Sequence, residues 1–182
     1  MNICVFCSSS ENLDEMYRAA ARDLGREIAA HGHTVVFGGY DMGLMGETAR
    51  AALSRGGYGI GITTAGLTAK GRSVVSGIEE FEEYDLSARK EHIISISDAF
   101  ITLPGGLGTF DEFFRVISRV KAGELGAPCA LLDVDGFFHP LADLLDDSEA
   151  RGLNSCSWRD LCGCFDDAES LIEWLETQVE ER

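Results

Sequence analysis

The chain has little proline, few basic residues and no long apolar run. Its 182 residues include 3 prolines against 21 glycines, a balance that favours tight strand-to-helix turns over disorder. Lys and Arg number 15 against 31 Asp and Glu, so the formal net charge is −16. Proteins that bind nucleic acid or an anionic membrane surface neutralise phosphates with a surplus of Lys and Arg. The charge therefore argues against both partners. An anionic small ligand would need a local group of basic side chains despite the overall negative charge.

No segment resembles a signal peptide or a membrane span. The amino-terminal apolar run is short and lacks a basic region before it. The spacing of the cysteines and His139 matches no usual zinc site, so the thiols are interpreted as reduced and not bound to a metal. The sequence predicts a cytoplasmic chain that needs no metal and no cofactor. The cysteines are Cys4, Cys7, Cys129, Cys156, Cys162 and Cys164.

Short apolar runs alternate with segments of helical periodicity along most of the chain. Strands are predicted at 2–7, 34–37, 58–62, 99–103 and 129–134, and helices at 44–54, 85–97 and 109–121, with one before His31 and one near the end. This order predicts a Rossmann-like parallel α/β sheet flanked by helices on both faces. Residues 1–182 are predicted to form a single nucleotide-binding domain. Only 63–84 lacks a pattern, and a loop of that length is either functional or misassigned.

Three predicted strand-to-helix turns are built from small or hydroxylated residues. Ligands of open parallel sheets bind beyond the carboxyl ends of the strands, where these turns lie. Glycine lets backbone N–H groups approach a ligand, and a helix start offers unpaired hydrogen-bond donors, so phosphate is the expected ligand. None of the turns is a Walker loop or a dinucleotide fingerprint. The turns are Ser8-Ser9-Ser10, Gly38-Gly39, and the run Pro104, Gly105, Gly106, Leu107, Gly108 and Thr109.

Two charged features accompany the third turn. Thr109 and Glu112 fit a capping box, but capping does not require the glycines in front of them. A carboxylate one turn inside such a helix can face a sugar while the helix start holds a phosphate. Arg89 and Lys90 lie on the helix just before the glycine-rich strand, so they can reach the same cleft and supply the basic charge that an anionic ligand needs. Taken in isolation, the pair would be explained by solvated ion pairs.

These residues together resemble the LOG (Lonely Guy) family, once called lysine-decarboxylase-like proteins, from Asn2 to about Gly123. The resemblance implies a Rossmann-type homodimer that hydrolyses cytokinin or other nucleoside 5′-monophosphates to base and ribose 5-phosphate. It implies that Arg89 and Glu112 are catalytic. It assigns nucleotide binding to Lys90 and 105–109. The small-residue turns add Ser8, Gly38, Gly39 and Pro104 to the predicted substrate-binding residues. The matching motifs are PGGxGTxxE at 104–112, the pair Arg89-Lys90, GLMG at 43–46 and, loosely, the turn at 7–10.

The sequence departs from the family pattern around the second and third strands. Tyr40 stands where the family has a third glycine, Thr63 where it tends to have proline, and Ser8 where the first turn has glycine. Residues 64–84 do not follow the family, and a glutamate often found there has no clear equivalent. The phosphate and ribose sites are therefore expected to be retained, and the pocket for the base to be remodelled.

The residues support a mechanism for N-glycosidic hydrolysis, while the role of His92 and a second function stay open. Glu112 is expected to stabilise an oxocarbenium-like ribose or activate water, while Arg89, which is an unlikely proton donor because a guanidinium stays charged, neutralises the leaving base or the phosphate. His92 is either a proton relay or an ordinary helix-surface histidine. A non-catalytic nucleotide or molybdenum-cofactor carrier of the same fold is the alternative function. Pyridoxal-dependent decarboxylation is rejected because no lysine lies in a suitable context.

Overall fold

The computed structural model describes residues 1–181, in which seven strands form one sheet of order β4-β3-β2-β1-β5-β6-β7. Every neighbouring pair is parallel. The strands are β1 Asn2–Phe6, β2 Thr34–Phe37, β3 Tyr58–Thr64, β4 Glu79–Glu83, β5 Ala99–Thr102, β6 Cys129–Leu132 and β7 Gly163–Phe165. The helices are α1 Glu15–Ala30, α2 Gly43–Ser54, α3 Ala65–Thr68, α4 Leu86–Ser95, α5 Leu107–Lys121, α6 His139–Ala150 and α7 Ala168–Glu180, with a 3₁₀ helix at Trp158–Asp160.

The chain begins in the middle of the sheet and reverses direction once. It runs outward from β1 through β2 and β3 to β4, then returns to place β5 on the other side of β1. The carboxyl ends of β1 and β5 therefore form the switch point at which open parallel sheets bind ligands. The first turn and the glycine-rich turn meet there, because the backbone N–H of Ser8 donates to the carbonyl of Pro104 over 3.1 Å.

Helices cover both faces of the sheet, as predicted. Successive side chains of β1 alternate between the two cores: Ile3 and Val5 pack with α1, α2 and α7, whereas Cys4 and Phe6 pack with α4 and α5. The Rossmann-like fold class is confirmed. The assignment of 1–182 to one nucleotide-binding domain stays a prediction.

Of the two alternatives left open for 63–84, a functional loop or a misassignment, the structure supports the second. Thr63 and Thr64 extend β3, Ala65–Thr68 forms α3, and Glu79–Glu83 forms β4 at the edge of the sheet. The sequence of β4 is Glu-Glu-Phe-Glu-Glu, which shows no clear apolar alternation because its side chains are largely exposed. Charged side chains are typical of an edge strand, since they discourage pairing with another chain.

The carboxyl-terminal third also contains elements that the sequence patterns did not predict. Helix α6 has no fully buried residue, and β7 is only three residues long. Helix α7 agrees with the prediction and buries Leu171, Ile172 and Leu175 against the sheet. Within residues 1–181, no helix combines the length and apolarity needed to cross a membrane.

Candidate active site

A cleft of about 600 Å³ opens at the switch point of the sheet. Its floor is the end of β1, and its walls come from the first turn, the glycine-rich turn, α4 and the start of α5. The predicted site residues that line it are Ser8, Gly38, Arg89, Lys90, Gly106, Leu107, Gly108, Thr109 and Glu112.

Arg89 is buried beneath the cleft with its guanidinium held on two sides. Helix α4 begins at a capping aspartate, Asp85, whose carboxylate accepts hydrogen bonds from two first-turn amides, which orients the helix. Arg89 is only 9% exposed, and its Nε donates to the carbonyl of Ile62 over 2.6 Å. Its Nη1 lies 3.8 Å from Oε1 of Glu112. The arginine and the glutamate thus converge.

The environment of Glu112 keeps a carboxylate and a guanidinium together away from bulk water. Burial raises the pKa of Glu112, although the nearby charges of Arg89 and Lys90 oppose that shift. Burial likewise lowers the pKa of Arg89, opposed by the charge of Glu112. Arg89 stays charged at neutral pH, since the pKa of a guanidinium lies above about 12. A carboxylate with a raised pKa is a better proton acceptor than an exposed one.

The start of α5 differs from the predicted capping box. Gly106 is the N-cap residue and offers no side-chain hydrogen bond, so the helix begins two residues before Thr109. Thr109 is buried, and Gly105 packs so tightly against it that a methyl group on Gly105 would lie 2.1 Å from the Thr109 hydroxyl oxygen. The first-turn N–H groups of a helix have no helical partner, and the residues that carry them here, Leu107 to Thr109, line the cleft. A helix start of this kind can hold an anion.

The start of α2 already has an internal partner. The N–H of Gly43 donates to the carboxylate of Glu11 over 3.0 Å, and the N–H of Leu44 donates to the carbonyl of Ser8 over 3.0 Å. The GLMG segment therefore supports the first turn and leaves the start of α5 as the open helix end at the cleft. Lys90 pairs with Asp111 at the rim, and this hydrogen bond lowers the pKa of Asp111.

The sequence matches one described protein family and several named relatives. A family model described as "Possible lysine decarboxylase" matches residues 45–175. The probable cytokinin riboside 5′-monophosphate phosphoribohydrolase LOGL9 of Oryza sativa subsp. japonica is 38% identical over 177 residues, which cover 97% of this chain and 78% of that protein. LOG3 of Arabidopsis thaliana, a cytokinin riboside 5′-monophosphate phosphoribohydrolase, is 35% identical over 174 residues, which cover 96% of this chain and 81% of that protein. The chain belongs to the LOG family.

Solved structures share the fold of this LOG-family chain. The molybdenum cofactor carrier protein MCP from Chlamydomonas reinhardtii superposes with a TM-score of 0.74, covering 98% of each chain at 22% identity. The molybdenum cofactor binding protein from Rippkaea orientalis gives a TM-score of 0.72, covering 97% and 95% at 22% identity. At that identity, the likeness confirms the Rossmann-like architecture alone.

Three of the predicted binding residues lie behind the cleft of this LOG-family protein. Gly39 has a positive φ of 81°. It packs against Thr63 so closely that a methyl group on Gly39 would lie 2.6 Å from the threonine Cγ2. Pro104 accepts the hydrogen bond of Ser8, and Gly105 packs on Thr109. These residues shape the turns that carry the cleft-lining groups.

His92 and the cysteines at the cleft do not supply further reactive groups. His92 is not among the cleft-lining residues, and its Nδ1 lies 2.7 Å from the carboxylate of Glu83 on β4. Cys4 and Cys7 do line the cleft, but burial raises the pKa of both thiols. A buried protonated thiol is a poor nucleophile and a poor metal ligand.

Sequence reasoning missed the apolar and basic residues at the far side of the cleft. Tyr40, noted as a departure from the LOG pattern, is fully buried, and its hydroxyl bridges the carbonyl and the N–H of Thr64 at 2.9 Å each. The guanidinium carbon of Arg72 lies 5.6 Å from the centre of the Tyr40 ring. The departures from the family pattern at Tyr40 and at 64–84 were the signals in the sequence that pointed to this region. The missed lining residues are Phe37, Met45, Leu67, Arg72, Leu86 and Ile93.

Proposed function

We propose that this chain hydrolyses the N-glycosidic bond of a nucleoside 5′-monophosphate, releasing the free base and ribose 5-phosphate. The observation that carries the proposal is the 3.8 Å approach of Arg89 and Glu112 beside an open helix start. Relatives named cytokinin riboside 5′-monophosphate phosphoribohydrolases support it. AMP and cytokinin riboside 5′-monophosphates are the substrates to test first.

The start of α5 suits the phosphate of the substrate. Its free N–H groups and the helix dipole favour an anion at the helix tip. Glu112 lies five residues after Leu107, about 7.5 Å further along the helix at 1.5 Å per residue. A nucleotide anchored at the tip would thus present its sugar, not its phosphate, to the carboxylate. The anchor holds the reacting bond in place, which lowers the entropic part of the barrier.

The proposed chemistry follows from the charges that develop as the bond breaks. The C1′–N bond breaks with its electron pair going to the base, and the oxygen of water forms the new bond to C1′. The carboxylate of Glu112 faces the positive charge on the ribose and takes the proton that water loses. Arg89 faces negative charge on the leaving base or the phosphate, and the base gains its proton from solvent.

The Glu112→Gln variant tests this assignment. The amide keeps the shape of the side chain but carries no charge and accepts no proton at neutral pH, so AMP binding is expected to persist while base release falls about 10²-fold or more. Glu124→Gln is the matched control, because Glu124 is exposed and its nearest cation is Arg119 at 3.8 Å. Base release is quantified by chromatography and AMP binding by calorimetry. Normal turnover by Glu112→Gln would remove Glu112 from the mechanism.

The same reactions separate the hydrolase from a nucleotide or cofactor carrier. A panel of nucleoside monophosphates is incubated with the wild-type protein. Free base and ribose 5-phosphate support the hydrolase. Tight binding without any product supports the carrier.

A homodimer is also proposed, from the resemblance to the LOG family. The apolar side chains on β4, α4 and α5 that are at least 39% exposed include Phe81, Leu86 and Phe114. Burying them against a second copy would remove apolar area from water. Light scattering coupled to size-exclusion chromatography is expected to give twice the mass of the 19.7 kDa chain. A monomeric mass at micromolar concentration would contradict the proposal.

A further inference from the structure

Arg72 is the cleft cation that has no carboxylate partner in the part of the chain that the structure describes. Three basic side chains line the cleft. Lys90 pairs with Asp111, and Arg89 lies 3.8 Å from Glu112, whereas no carboxylate oxygen of residues 1–181 lies within 4.0 Å of the Arg72 guanidinium. In a chain with a net charge of −16, a cation left without a carboxylate at a ligand cleft is available to a ligand.

The backbone around Arg72 is fixed against the end of β2. The N–H of Asp41 donates to the carbonyl of Ser73 over 2.8 Å, and the N–H of Val75 donates to the carbonyl of Gly39 over 3.0 Å. The guanidinium lies over the ring of Tyr40, and that ring is immobilised by its buried hydroxyl hydrogen bonds. Cation–π contact with a fixed ring orients the guanidinium and leaves its N–H donors free. Tyr40, which replaces a glycine of the family pattern, is therefore the platform for Arg72.

The sheet order places Arg72 at the far end of the cleft from the proposed phosphate position. The start of α5 follows β5, whereas the Tyr40 platform follows β2, with β1 between them. Two strand spacings of about 4.8 Å separate the two positions by about 10 Å. That span is comparable to the extent of a nucleoside monophosphate from its phosphate to its base. This step rests on the proposed function, in which the phosphate occupies the start of α5.

We propose that Arg72 contacts the base and selects nucleotides with a 6-oxopurine over those with a 6-aminopurine. A guanidinium carries donors and no acceptor. It pairs in bidentate fashion with the O6 and N7 acceptors of guanine, an edge that hypoxanthine shares, whereas adenine presents a donor at N6 that a guanidinium cannot accept. IMP and GMP are therefore the preferred substrates, ahead of AMP and of cytokinin riboside 5′-monophosphates.

The test compares kcat/KM for IMP and AMP in the wild type and three variants. Arg72→Ala is expected to lower the IMP-to-AMP ratio about tenfold or more, the effect of losing one bidentate contact. Arg72→Gln is expected to move the ratio further towards AMP, because an amide pairs with both N6 and N7 of adenine. Arg55→Ala is the matched control, since Arg55 is exposed at the end of α2 and does not line the cleft.

Each outcome separates this inference from the proposed function. A ratio that stays within threefold in Arg72→Ala overturns the inference while leaving hydrolysis intact, as does a wild type that prefers AMP. An equal loss with both nucleotides also overturns it, because it would place Arg72 on the phosphate. If no nucleotide is cleaved, the proposed function fails. The dissociation constants of IMP and AMP, measured by calorimetry on the same proteins, then decide the base preference.

Discussion

Replacing Gly38 with alanine is expected to displace Arg89 and so to disable the site. A methyl group on Gly38 would lie 1.9 Å from Nη2 of Arg89 and 2.8 Å from Sδ of Met45. Ordinary contacts with such a group begin at 3.4 Å, so the guanidinium must move by about 1.5 Å, the difference between 3.4 Å and 1.9 Å. Arg89 is pinned by its hydrogen bond to Ile62, which leaves little room for a smaller adjustment.

The size of the effect follows from that displacement. A misplacement of about 1 Å at a reacting site costs about 10²-fold in rate, so kcat/KM for AMP is expected to fall at least that far. The strained or broken bond between Arg89 and the Ile62 carbonyl involves a charged donor, which lowers the free energy of unfolding by about 1.5–3 kcal/mol. The positive charge stays in the cleft, so nucleotide binding is expected to weaken less than turnover.

The assay measures base release from AMP together with urea unfolding of the same samples. Gly126→Ala is the matched control, because a methyl group on Gly126 meets no atom within 4 Å. Should Gly38→Ala fail to fold, Arg89→Lys tests the same point, since lysine keeps the charge but lacks the planar fork. Turnover of folded Gly38→Ala, or of Arg89→Lys, within threefold of the wild type would refute the argument that the position of Arg89 controls the rate.

Three further predictions concern other contacts. Tyr40→Phe leaves the buried backbone groups of Thr64 without their partner and is expected to lower the free energy of unfolding by about 1–3 kcal/mol in urea titrations; an unchanged midpoint would contradict that. Burial raises the pKa of Glu112, and the mechanism needs the ionised carboxylate, so kcat for AMP is expected to fall as the pH drops through a pKa above that of an exposed carboxyl. An acidic limb of the pH profile at the pKa of an exposed carboxyl would count against the assignment. Burial lowers the pKa of His33, so the unfolded chain takes up the proton first and the wild type is expected to lose stability as pH falls below about 6.5; His33→Gln should lack that part of the pH dependence in thermal unfolding, and an identical profile would refute it.

The sequence predicted the parts of the molecule in which one side-chain pattern dominates. The buried strands β1, β2 and β5 are short apolar runs, and α5 carries apolar residues at helical spacing. The bounds of all four elements were therefore predicted to within a few residues. The convergence of Arg89 and Glu112 was also predicted, because the helix that carries Arg89 immediately precedes the strand whose glycine-rich turn leads to Glu112. Both lie in the cleft at a separation of 3.8 Å.

The remaining features depend on tertiary contacts that the local sequence does not encode. The strand β4 consists almost entirely of glutamates, and it pairs with β3 through its backbone while its side chains face solvent. The true start of α5 at Leu107 depends on Gly105 packing against Thr109. Arg72 reaches the cleft only because the backbone at 73–75 pairs with the end of β2, a contact between segments about thirty residues apart.

The most direct test of the proposed activity is the identity of the products formed from AMP. The wild-type protein is incubated with AMP, and adenine, adenosine, ribose 5-phosphate and inorganic phosphate are quantified together by mass spectrometry. Cleavage at the N-glycosidic bond predicts adenine and ribose 5-phosphate in equal amounts, with neither adenosine nor inorganic phosphate. Adenosine with inorganic phosphate would contradict an active site built from Arg89, Glu112 and the open start of α5, as would AMP and IMP that both bind and are never converted.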